Sequence, residues 1–260
     1  MAVSFSLTKR PVSLLLLLGI FLVPMLQSCE KELEFQTKTF EEKTSLPCKA
    51  DACPEVKLEI PIAGNKGFIS DSINNKVFST VKEIIYFGEK PYDAKDYSTL
   101  LKDFIGSYEM IRKDDPTDAS KWVGKASGKV VYQSEKIINI EIEHYTFTGG
   151  AHGYSGKRSL IFDGETGKII PNAGLFKDIT GFTKLAEAKF RKKYNLAPNA
   201  PINSDGFMFE TGSFTLPETI FYMHDGILLV YNVYEIASYA EGPQEIMIPI
   251  AEARPFLATE

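Results

Sequence analysis

What this chain can fold into is constrained most by a change of period along it. Ile69, Ile73, Val77, Val81 and Ile84 recur at helical spacing, and Tyr97, Leu100, Leu101, Phe104, Ile105, Tyr108 and Ile111 do so again. Each set lies along one stripe of a helix whose other side is polar, as expected of helices lying on a sheet. After Trp122 the period falls to two, and Ile138, Ile140 and Ile142 alternate with Asn139, Glu141 and Glu143. That is the pattern of an antiparallel strand with one face buried and one in water. Helical stripes followed by alternating strands read as an α+β fold, with antiparallel sheets and helices packed on one face. The stripes are core faces and not cofactor boxes, so no cofactor is expected.

The remaining elements follow from the same signals. "VKLEIPI" (56–62) is a strand before the first helix, and Phe182, Leu185, Ala186, Phe190 and Tyr194 mark a third helix, closed by Pro198 and Pro201. A last hairpin pairs "TIFYM" (219–223) with "ILLVYNVY" (227–234) across His224, Asp225 and Gly226, and "EIMIPI" (245–250) is a final strand. Between strands lies "YTFTGGAHGYSGKRSLIFDGETGK" (145–168), with Gly149, Gly150, Gly153 and Gly156 around His152. It reads as a glycine-shaped loop joining paired strands, "SLIF" (159–162) and then "KII" (168–170), through turn chemistry at Asp163, Gly164 and Gly167.

The N-terminus carries an address. Lys9 and Arg10 precede an apolar run from Val12 to Leu26, interrupted by Pro24 and followed by "LQSC" ending in Cys29. The run is 15 residues, shorter than the roughly 20 a membrane-crossing helix needs, so it reads as a secretory signal covering residues 1–28. "LQSC" resembles a bacterial lipobox, which makes Cys29 the lipid-attachment residue and the first of the mature chain. Ordinary secretion with a chance cysteine is the alternative. Residues 30–44, "EKELEFQTKTFEEKT", are charge-rich with few apolar positions, and read as part of a polar tether over 29–45. Glu30, Glu32 and Glu34 resemble the surface-export signal of some Gram-negative lipoproteins. The expected location is the outer membrane, on its periplasmic or cell-surface side.

Loss of the leader removes two positive charges, so the formal net charge moves from −5 to −7. No clustered basic domain suggests nucleic acid, and "EAKFRKKY" (187–194) reads as a solvated helix face. With Cys29 lipidated, Cys48 and Cys53 remain, in a compartment where disulfides persist. A local Cys48–Cys53 bridge is predicted; half of a metal site and two free thiols are the rival readings.

Catalytic motifs are wanting. "GYSGK" places Gly156 one position too early for a serine-hydrolase elbow, and neither glycine spacing matches a phosphate-cradling loop. A zinc site would need His144, His152 and His224, every histidine present, with Asp225 as a fourth ligand, at spacings looser than zinc sites use. His144 continues the Ile138, Ile140, Ile142 face and reads as a satisfied, partly buried side chain; His224 reads as an exposed turn residue. His152 either fixes its loop or, with Tyr154 and Arg158, faces a partner. No catalytic residue is assigned. A pair among 34 acidic residues could still serve glycan hydrolysis.

Three segments together carry a family likeness: the glycine stretch with its Gly-Gly-Ala-His-Gly core, "LFKDI" (175–179), and "YNVYEIASYAEGPQEIMIPIAEARPFL" (231–257), which holds Tyr234, Glu235, Tyr239 and Gly242. They resemble a bacterial domain family of unknown function. Its best-known member is the extracellular part of the lysozyme-sensing anti-sigma-V factor, and a similar module accompanies a cell-wall polysaccharide deacetylase. The likeness spans about residues 130–257, and the stretch before it looks like that domain's usual companion. It implies two small subdomains, 46–128 and 129–260. This sequence has no sigma-binding segment or metal-binding deacetylase domain, so neither activity is expected. What the resemblance implies is an envelope module that binds a lysozyme-like protein or peptidoglycan glycan, with His152, Tyr154, Arg158, Tyr234, Glu235 and Tyr239 as ligand-binding candidates. An envelope hydrolase with an unrecognised acidic pair is the alternative.

Overall fold

The computed structural model describes residues 1–4, 33–49, 52–115 and 120–259. The leader and Cys29 lie outside the described residues. Among those described, no helix is long and apolar enough to cross a membrane. Residues 32–260 form one compact unit.

That unit is α+β. Five strands, β1 (Glu34–Glu42), β2 (Glu55–Gly64), β3 (Val123–Gln133), β4 (Ile137–Phe147) and β5 (Tyr154–Asp163), form one sheet in that order. Between β2 and β3 run α1 (Phe68–Ile84) and α2 (Tyr97–Asp114). A crossover of this length is what parallel neighbours require, and β2–β3 is a parallel pair in a sheet whose other pairs are antiparallel. Both stripes face inward as their spacing dictates: α1 buries Ile73, Val77 and Val81, and α2 buries Leu100, Leu101, Phe104, Ile105 and Tyr108. Asp96 caps α2, accepting from the Thr99 amide at 2.8 Å. Beneath the helices Trp122 is 1% exposed and packs on Phe87 and Phe104, with ring centroids 4.4 and 5.6 Å away.

The segment expected to be a tether is a strand from residue 34 onward. β1 pairs along its whole length with β2, Phe40 stacks on Tyr97 at 4.7 Å, and Glu109 of α2 accepts from Thr44 Oγ1 (2.8 Å) and the Ser45 amide (2.7 Å). Its charges sit on the exposed side of an edge strand, where they oppose edge-to-edge pairing. The Cys48–Cys53 disulfide forms as predicted, with a Cα–Cα distance of 5.3 Å, in the connection from β1 to β2.

A second sheet, β6 (Thr219–Tyr222), β7 (Gly226–Tyr231) and β8 (Gln244–Pro249), is antiparallel throughout. With α3 (Ile179–Lys193), which buries Phe182, Ala186 and Phe190, it builds a second core. That core includes Ile137 of β4 and Ile161 of β5, whereas Ile138, Ile140, Ile142, Leu160 and Phe162 belong to the first. β4 and β5 are therefore covered on both faces. Here the half-buried reading of β4 is corrected, because Asn139 and Glu141, assigned to a wet face, are 0% and 6% exposed. Asn139 is satisfied by donating to Ser159 Oγ (2.8 Å) and the Leu160 carbonyl (3.2 Å) and accepting from the Tyr222 amide (2.8 Å). Glu141 is paired with Lys129 at 2.9 Å. The subdomain boundary expected at 128/129 falls inside β3, so the sheet runs through it. "KII" contributes only an isolated bridge, Ile169 to Phe162.

Candidate functional site

His152, Tyr234, Glu235 and Tyr239 gather where the loop joining β4 to β5 meets the turn after β7, and Tyr154 and Arg158 lie on β5. Gly149 and Gly150, with φ of +113° and +92°, let the β4–β5 connection take the left-handed conformations that other residues resist. That loop delivers His152 to the surface. There it meets the turn that follows β7, where Tyr234 has φ of +68° and is 54% exposed. A bulky residue in the left-handed region is an outlier, held in place by its surroundings at a cost of about 1–3 kcal/mol.

Those surroundings account for Asn232 and Glu235. The Asn232 side chain accepts from the Lys157 amide (2.8 Å) and donates to the Lys157 carbonyl (3.1 Å), imitating a strand partner on the free edge of β5. Glu235 accepts from the Asn232 amide (2.8 Å) and from the Glu218 amide (3.3 Å). Burial raises its pKa, with those two amides opposing the shift. The structure thus places Glu235 beneath the turn as a buttress, with both oxygens occupied.

The product is a cluster of three rings. His152 stacks on Tyr239 with centroids 4.2 Å apart and planes 20° apart, while Tyr234 lies 6.2 Å from His152 and 5.5 Å from Tyr239. His152 Nδ1 is 3.0 Å from the Gly153 carbonyl, and Nε2 is 3.1 Å from the Tyr234 hydroxyl. Since a carbonyl only accepts, Nδ1 carries the proton in the neutral ring and Nε2 accepts from Tyr234. Pinned from both sides, the rings present a fixed aromatic surface.

Tyr154 and Arg158 stand apart from this cluster. They share the helix-covered face of the sheet with His144, whose ring centroid is 5.7 Å from that of Tyr154. His224 is elsewhere again, in the β6–β7 turn against Tyr132 at 4.8 Å. The three histidines do not converge, and among the described residues no group of three His, Cys, Asp or Glu is placed to hold a metal. The sequence missed Asn232, for which the only signal is its position just after an apolar strand.

Residues 48–155 match the family model described as "Deacetylase PdaC". Residues 172–251 match "Protein of unknown function (DUF3298)". The DUF3298-matched region supplies Tyr234 and Tyr239, while His152 and Tyr154 come from the PdaC-matched region and Arg158 lies between the two matches. The aromatic cluster is therefore assembled from both. A crystal structure of a DUF3298 family member from Bacteroides fragilis NCTC 9343 shares the fold with a TM-score of 0.67 at 21% identity, covering 87% of this chain and 94% of that one. A DUF3298 family protein from Pseudomonas aeruginosa PAO1 gives 0.64 at 19% identity, covering 88% and 96%. No curated protein matches the sequence.

Proposed function

We propose that the protein is an exported module, lipid-anchored through Cys29 at the outer membrane, that binds cell-wall glycan on the His152–Tyr234–Tyr239 cluster without chemically altering it. One observation carries this reading: Tyr234 is held in a strained backbone conformation while more than half of it faces solvent. Strain maintained by a buttress of hydrogen bonds is expected where a side chain is preorganised for a ligand. Flat aromatic faces suit the C–H faces of a pyranose, and rings already ordered lose little entropy on binding. A hydrolase reading finds less support. The carboxyl that burial raises among the described residues belongs to Glu235, whose oxygens are engaged by backbone amides.

The test is calorimetric titration of the protein with purified peptidoglycan fragments and, separately, with c-type lysozyme. Glycan affinity is expected to fall about ten-fold or more in Tyr234→Ala, the loss of one stacked ring being about 1–1.5 kcal/mol. Undiminished glycan binding by that variant, or saturable binding of lysozyme alone, would replace the glycan reading with a protein-binding one. Release of acetate or of reducing ends during the titration would make it an enzyme.

A further inference from the structure

The helix-covered face of β4 and β5 changes character where α1 ends. Down that face Ile138, Ile140 and Ile142 are buried, and the next two residues in the row are His144 and Thr146. Across from them on β5, Tyr154 pairs with Thr146, Gly156 with His144 and Arg158 with Ile142. His144, Thr146, Tyr154 and Arg158, with Thr80, Glu83 and Ile84 from the end of α1, line an open cavity of about 200 Å³, room for about six waters at ~30 Å³ each. This is the size of a small metabolite and too little for a sugar chain.

Three features of the lining await a partner. His144 is 6% exposed, and its Nδ1 has no hydrogen bond; a buried polar atom left so costs about 1–3 kcal/mol and calls for an explanation. Arg158 and Glu83, of opposite charge, line the same cavity. Neither makes an ion pair or side-chain hydrogen bond with a described residue, the Arg158 charge acting at longer range on His144 and Glu235. A charge pair that lines one cavity without closing on itself leaves space for something between its members.

We infer that this cavity binds a small zwitterion of the α-amino acid class, its carboxylate on Arg158 and His144 and its ammonium group on Glu83. The guanidinium fork suits a carboxylate, the neutral imidazole can donate from Nδ1, and Glu83 selects against a purely anionic ligand such as phosphate. Gly156 is part of the design. A Cβ there would sit 2.9 Å from His144 Nε2 and 3.2 Å from Tyr154 Cε1, so any larger residue would push one of these two rings.

The experiment is a titration of the protein with alanine, acetate and inorganic phosphate in turn, followed by calorimetry or by chemical shifts of the His144 ring. Alanine is expected to saturate the site, with acetate at least about ten-fold weaker for want of the ammonium contact. Arg158→Gln should weaken alanine by about ten-fold or more, and Glu83→Gln should weaken alanine while leaving acetate unchanged or improved. Both side chains are exposed, so the variants keep the fold, which thermal unfolding checks. Absence of alanine binding at tens of millimolar, alanine binding indifferent to Arg158→Gln, or phosphate binding tighter than alanine would each overturn the assignment. The inference is independent of the glycan reading, because Tyr234→Ala leaves this cavity untouched.

Discussion

At the scale of single residues, His144 is the side chain whose chemistry departs most from what its place in the sequence implies. The alternation that puts it inside is legible, since it extends the row Ile138, Ile140, Ile142. Its missing partner is not, because that depends on α1 ending before it reaches His144. Burial, with the charge of Arg158 adding to it, pushes the imidazole down to about 4 from an ordinary 6.5. As pH falls below 6.5 the unfolded chain takes up this proton and the folded one does not. The neutral ring's contribution is thus complete above that pH and is lost on the way down to about 4, by about 3 kcal/mol at 1.36 kcal/mol per unit. Urea unfolding at pH 7 and at pH 4.5 should show wild type losing about 2–3 kcal/mol more than His144→Phe, in which this titration is absent. Equal losses would exonerate the ring. Gly156→Ala should cost about 1–3 kcal/mol by overpacking, and less in a His144→Ala background, since the His144 ring is what the new methyl meets most closely, with Tyr154 Cε1 next at 3.2 Å.

Elements were legible in proportion to how much of their environment is local. The stripes of α1, α2 and α3 encode a single buried face, and each helix lies where its stripe runs. β1 was misread because an edge strand buries little: only Phe35 and Phe40 pack on the core, and its exposed charges have the composition of a linker. β4 was read as half wet because Asn139 and Glu141 are polar, yet a second sheet covers them. Asn139 takes the role of a peptide group there, with its oxygen on the Tyr222 amide of β6 and its nitrogen on β5. Asn139→Leu fills the space but removes the oxygen to which the Tyr222 amide donates at 2.8 Å, so a loss of about 1–3 kcal/mol is expected by chemical denaturation. Hydrogen exchange should localise it, with the Tyr222 amide losing protection before the amides of β7. A loss spread evenly over both sheets would mean that Asn139 is not the joint between them.

For the whole molecule, the decisive fact is that two cores share two strands. Residues on alternate positions of β4 and β5 point into different cores, Ile137 and Ile161 into one and Ile138, Ile140, Leu160 and Phe162 into the other. Neither core can lose these strands and stay closed, although two family models meet near this point in the sequence. The two cores should therefore melt together, and the protein supplies its own reporter, because its single tryptophan, Trp122, lies in the first core. Phe190 is fully buried in the second. Phe190→Ala removes a ring from a closed site and should cost about 3–5 kcal/mol. If the strands couple the cores, that cost appears in the unfolding transition followed by Trp122 fluorescence, with its midpoint moved as far as that of hydrogen exchange in β7. If Trp122 instead reports an unmoved transition while β7 exchanges earlier, the cores are independent. The His152–Tyr234–Tyr239 surface, drawn from both sides of that seam, would then come apart before the first core does.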